Sequence, residues 1–195
     1  MQFTIYNKDG IPATLEEMAP ISRFHFRAVW IIAILLAALL VATVIIDRIP
    51  IAKSTIQTDV VINSSASEVW QELTDFEEYP QWNPFMLQVT GAPSPGEQLE
   101  ILMRFGDGTM TITPTVLVSL PDRELRWIGH LLVPGLFDGE HSLVIEPLSE
   151  DRVRFLQSES FSGLLIPFSR RILEDTKLNF EAMNQALKKR AEEAN

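Results

Sequence analysis

The chain has 195 residues, a formal net charge of −10, no cysteine and three histidines. The acidic balance argues against a nucleic-acid partner, which needs basic surface, and disfavours broad adhesion to anionic lipid headgroups. Without cysteine there are no disulfides and no thiol catalysis, and three scattered histidines without a Cys/His cluster argue against a zinc site. Residues 1–27 are mixed and polar, interrupted by Gly10, Pro12 and Pro20, and read as a loosely ordered tail with a short helix over 14–18. Residues 28–46, AVWIIAILLAALLVATVII, carry no charge over nineteen positions. At ~1.5 Å per residue they reach roughly the ~30 Å of a hydrocarbon core, so a single transmembrane helix is expected. A buried core helix fits less well because the segment is apolar on all sides. A cleaved signal peptide fits less well because no A-x-A site follows. Arg23 and Arg27 on one flank balance Arg48 and Lys53 on the other, so sidedness stays open.

A linker over 47–53 leads to a domain over 54–195. Residues 54–62 have the β-rich composition of a first strand. Ser65 and Glu68 fit a capping box that opens a helix through Leu73, with Val69, Leu73 and Phe76 on its inner side. A second helical turn over 75–79 ends at Pro80, and 81–85 form an aromatic loop, better read as a packed corner than as a gate. Strands are expected over 86–90, 98–105, 110–119, 124–129, 139–146 and 152–161, separated by Pro, Gly and Asp turn signals. Their hairpin spacing implies an antiparallel sheet with one wet face. A long helix is expected from Pro167 to about Ala191, with Phe168, Ile172, Thr176, Phe180, Met183 and Leu187 as its inner stripe. The order is strand, two short helices, six strands, long helix.

That order resembles the START-like, or SRPBCC, superfamily, close to its polyketide cyclase/dehydrase and lipid-transport branch. The residues that carry the resemblance begin with Ser67-Glu68-Val69-Trp70, Asp75-Phe76, Tyr79-Pro80 and Trp82-Asn83-Pro84-Phe85. They continue with Asp138-Gly139-Glu140-His141, Glu146-Pro147 and Glu159-Ser160-Phe161-Ser162-Gly163-Leu164. The resemblance spans about 54–190, and its motifs are structural, not catalytic. It implies an α+β helix-grip fold, in which a curved antiparallel sheet wraps the C-terminal helix and leaves an apolar cavity between them. The transmembrane helix is an addition to that family.

A cavity under the helix would be lined by inward strand positions. Alternation nominates Met103, Phe105, Trp127, His141, Leu143, Phe155 and Glu159, and the loops add Phe85 and Phe137 near a mouth. The helix adds Ile172, Thr176, Phe180 and Met183. Aromatic and methionine side chains suit an adaptable apolar pocket. His141 and Glu159 are the titratable pair that points inward. They read as a structural or ligand-orienting pair in preference to a general base with its partner. No phosphate loop, nucleophile elbow or metal-ligand spacing appears, and no cofactor is expected. The leading expectation is a membrane-anchored module, with residues 28–46 in the bilayer, that binds or transfers a hydrophobic small molecule or lipid. A cyclase- or dehydratase-type enzyme and a non-catalytic interaction module stay open, as does the oligomeric state.

Overall fold

Strand β1 (Lys53–Ile62) pairs along its whole length with the last strand, so the first and last strands of the domain lie side by side. The computed structural model describes residues 30–36 and 52–193. The chain divides into two units, Met1–Pro50 and Ile51–Asn195. In the first, residues 30–36 are helical and solvent-exposed. Among the described residues no helix is long and apolar enough to cross a membrane. The remainder of the expected span over 28–46, the tail with its helix at 14–18, and most of the linker lie outside the described residues.

In the second unit, α1 (Ala66–Thr74) opens with the expected capping box: Glu68 N–H donates to Ser65 Oγ, and Ser65 N–H donates to Glu68 Oε2. These bonds satisfy amides that the first turn leaves without helical partners. Val69 and Leu73 are buried on its inner face, and the buried Tyr79 hydroxyl donates to the Leu73 carbonyl at 2.6 Å. A 3-10 turn and the short α2 (Tyr79–Trp82) follow. Asn83 then forms the corner, its Oδ1 accepting from the amides of Phe85 and Met86 at 3.0 and 2.9 Å.

Strands β2 (Met86–Thr90), β3 (Glu100–Phe105) and β4 (Gly108–Ile112) form a three-stranded antiparallel sheet in that order. Strands β5 (Thr115–Leu120), β6 (Glu124–His130), β7 (Asp138–Ser149) and β8 (Arg152–Ser162) join β1 in a five-stranded sheet of order β1-β8-β7-β6-β5. Seven strands therefore follow the short helices, not six. The single strand expected over 110–119 is broken at Thr113-Pro114, because proline cannot donate to a ladder. The break lets the chain leave one sheet for the other. The two are stitched there by Leu99 N–H to the Pro114 carbonyl and Val116 N–H to the Glu97 carbonyl.

The long helix α3 (Arg170–Glu193) begins later than Pro167. Pro167 sits instead in a 3-10 turn, Ile166–Phe168, and the first helical bond runs from Leu173 N–H to the Ser169 carbonyl. Phe168, expected on the inner stripe, is therefore outside the helix and exposed. The C-terminal half of α3 is clamped down. Phe180, Met183, Leu187 and Ala191 are buried, and Asn184 Nδ2 donates to Thr58 Oγ1 at 2.9 Å. Lys188 Nζ donates to the Val61 carbonyl at 2.6 Å, and Arg190 pairs with Glu72 and Glu78. Among the described residues the N-terminal half has no such polar ties to the sheet, and its Ile172 and Thr176 are only half-buried. The space left beneath that half is where the site lies.

Candidate functional site: a cavity under the N-terminal half of the long helix

A cavity of about 170 Å3 lies between the first turns of α3 and the concave faces of both sheets. Ile172 and Thr176 form its roof; Met103, Trp127, His141 and Glu159 form its strand walls; Phe85, Phe105 and Phe137 stand around it from the loops and the β3 end. Four nominated residues do not border it. Phe155, Phe180 and Met183 are fully buried in the core, as is Leu143, because α3 closes onto the sheet from Phe180 onward and leaves no space there. Phe180 packs edge-on against Phe85 at a centroid distance of 5.6 Å and lies 4.7 Å from the His141 ring.

The cavity also takes residues that were not nominated for it. Met110 and Ile112 reach it because β4 is a strand of the smaller sheet, and Met86 and Ile101 complete that wall. Phe161 follows Glu159 by two in the inward register of β8. Gly139 is informative. A side chain there would collide with the Glu159 carboxyl group, so the missing Cβ is what lets that carboxyl lie across β7. A glycine within a strand was the available signal of such an approach. His130, Leu131, Leu165 and Ser169 border the cavity near the two loops that flank it.

The lining is mostly apolar, with the buried His141 and the half-buried Glu159 as its inward titratable groups. Burial pushes the Glu159 carboxyl up to about 8 and the His141 imidazole down to about 3, so both are neutral at pH 7. His141 Nδ1 and Glu159 Oε2 are 3.9 Å apart, beyond hydrogen-bond reach. Gln157 Nε2 lies 3.0 Å from His141 Nε2, which makes that ring nitrogen the acceptor and leaves the ring proton on Nδ1. A base with so low a pKa is poorly matched to proton abstraction near neutrality. A protonated Glu159 is instead a hydrogen-bond donor at the wall of an apolar chamber. From sequence the two read as a structural or ligand-orienting pair; in the structure they face the same cavity without bonding each other.

The raised carboxyl has a consequence for stability. Below pH 4.5, the ordinary value, the carboxyl is protonated in the folded and unfolded chain alike. Between 4.5 and about 8 only the unfolded chain gives up its proton, so the Glu159 contribution to stability falls as pH rises and levels off above about 8. Glu159→Gln removes this slope and leaves the opposite one from His141 in place. Urea unfolding of both proteins is expected to show the variant gaining, relative to wild type, on the order of 4 kcal/mol between pH 4.5 and 8. A stability difference independent of pH contradicts a neutral inward carboxyl.

Comparisons with known proteins agree with this architecture. The family model for polyketide cyclase / dehydrase and lipid transport matches residues 53–192. A START superfamily protein from Mycobacterium smegmatis is 20% identical with a TM-score of 0.58, the match covering 72% of this chain and 99% of that one. The Zhui aromatase/cyclase from Streptomyces sp. R1128 is 16% identical with a TM-score of 0.61, covering 72% and 94%. The norcoclaurine synthase of Thalictrum flavum, solved with dopamine and hydroxybenzaldehyde, is 13% identical with a TM-score of 0.60, covering 77% and 93%. No curated protein matches the chain. The residues from Lys53 to Glu192 fold as a curved antiparallel sheet gripping a long helix over an apolar cavity, and the chain belongs to the polyketide cyclase/dehydrase and lipid transport family.

Proposed function

We propose that the domain binds a hydrophobic small molecule or lipid, holding an apolar portion in the cavity beneath α3, and that residues 28–46 anchor it to a membrane. The observation that carries the first part is the cavity itself: a chamber of about 170 Å3, mostly apolar, whose inward titratable groups are both neutral at pH 7. An apolar chamber of ~150 Å3 is large enough for a benzene ring. A ligand with one ring or a short branched chain inside, and the remainder at the mouth, fits that size. The interior acid donates to a carbonyl or hydroxyl oxygen on the enclosed part. The open cavity favours this reading over an interaction module with a filled grip. The anchor rests on the nineteen uncharged residues of the apolar run.

A cyclase- or dehydratase-type enzyme is the second reading. Glu159 favours it, because a carboxylic acid kept protonated near neutrality is also a proton donor in position to act. The 3.9 Å gap to His141 weighs against a working acid–base pair. Native mass spectrometry of the full chain released from mild detergent tests the binding reading. One small molecule retained per chain supports it, and bare chain alone counts against it.

A further inference from the structure

Two loops beside the cavity expose apolar side chains that the core does not need. The β6–β7 loop, residues 131–137 (LLVPGLF), and the segment after β8, residues 163–169 (GLLIPFS), each run seven residues without a charge in a chain of net charge −10. They are joined through main-chain bonds, Leu164 N–H to the Gly135 carbonyl at 3.2 Å and Leu165 N–H to the Leu136 carbonyl at 3.1 Å. On the outer side of this joint, Leu132 is 84% and Phe168 85% exposed, with Val133 and Leu164 also open to solvent. Leu131 and Leu165 border the cavity and are themselves partly exposed, so the apolar surface runs continuously into the mouth.

This tip is built, not frayed. Asp138 fastens the base of the first loop, accepting from the Gly135 amide at 2.8 Å and pairing with His130 Nδ1 at 2.8 Å. Gly163, with φ of +142°, allows an approach to Leu136 and Phe137 that any side chain would block. Leu132 holds a positive φ of 66°, a strained conformation for a bulky residue, and its side chain is open to solvent. Exposed leucine and phenylalanine on a rigid, uncharged tip are the features of a surface that something apolar covers.

We infer that the covering partner is a lipid bilayer, into whose interface the tip formed by residues 131–137 and 163–169 inserts, so that the cavity opens onto the membrane. The position of the apolar run in the chain supports this occupant. The Ala52 carbonyl accepts from Gly163 N–H at 3.1 Å, at the root of the tip. Only residues 47–51 separate Ala52 from the end of the run at Ile46, a tether of at most about 20–22 Å when extended. Arg170 and Arg171, next to the tip, are already paired with Glu174 and Asp175. Insertion therefore draws on apolar burial and proceeds on zwitterionic lipid. The inference rests on the membrane reading above, and its test tells the two apart.

Because the chain has no cysteine, single labels are clean. Leu132→Cys, Phe168→Cys and, as the control, Asp151→Cys each receive an environment-sensitive fluorophore in the full chain, reconstituted with phosphatidylcholine vesicles carrying spin-labelled acyl chains. Asp151 lies in the β7–β8 turn, and the twelve residues of β7 place it roughly 35–40 Å from the tip. Quenching on the order of threefold stronger at 132 and 168 than at 151 is expected for groups seated ~5–10 Å into the interface. If the chain floats with the vesicles but 132 and 168 quench no more than 151, the tip does not dock while the anchor stands. Emission shifted to the blue at 132 without lipid quenching means that protein covers the tip, and also overturns the inference. A chain that neither floats nor quenches overturns both readings.

Discussion

Phe180→Ala is expected to destabilise the domain by about 3–5 kcal/mol, the cost of removing a phenylalanine from a packed core. Phe180 has no exposed surface and does not border the cavity. Its ring is held by Phe85 and His141, at 5.6 and 4.7 Å. Denaturant unfolding measures the loss, and a change below about 1 kcal/mol would place the ring on a wall of the cavity instead. Affinity for a hydrophobic fluorescent probe is a useful second reading on the same variant, because both neighbours of Phe180 also line the cavity. The void left by the ring adjoins the ligand space, so probe binding survives the substitution even though stability does not.

Ile172→Trp should show the reverse pattern. Ile172 hangs from the half of α3 that stands off the sheet, and a larger side chain there has the cavity to enter. Probe affinity is expected to fall at least about tenfold, roughly 1.4 kcal/mol, because the ring occupies the space the ligand needs. Stability is expected to change by less than about 1.5 kcal/mol, since the tryptophan fills a void and does not overpack a full core. A loss of affinity that tracks a loss of stability would show that the helix had simply been displaced. Phe180→Ala and Ile172→Trp together separate the clamped half of α3 from the half that roofs the cavity.

That division of the helix marks what the sequence shows and what it leaves hidden. Periodicity correctly puts Ile172, Thr176, Phe180 and Met183 on one face, because spacing at three and four residues fixes azimuth around a helix. It carries no information on the gap between helix and sheet. Asn184, Lys188 and Arg190 set that gap, holding the C-terminal end against β1 and α1 through partners more than a hundred residues away in the chain. Phe180 and Met183 thus join the core while Ile172 and Thr176 face a cavity.

The strand readings follow the same rule. Period-two alternation placed Phe155 and Glu159 inward, and β8, paired on both edges, keeps that register throughout. It did not reveal the break at Thr113-Pro114, because apolar and polar residues continue to alternate across it while the chain changes sheet. The capping box at Ser65 and Glu68 was fully legible, being a contact between residues three apart. The helix start at Pro167 was misplaced because proline suits the first turn of a 3-10 segment as well as that of an α-helix. The apolar tip was the hardest to see. Nothing in the local sequence of its leucines tells whether the fold buries them or leaves them outside.

The most direct measurement of the central claim is a native mass spectrum of the full chain, wild type beside Ile172→Trp, both released from the same mild detergent. The account predicts a small hydrophobic molecule retained one per chain by the wild type and absent from the variant. Wild-type chain that carries nothing, or a molecule retained equally by both proteins, would contradict a ligand site beneath α3.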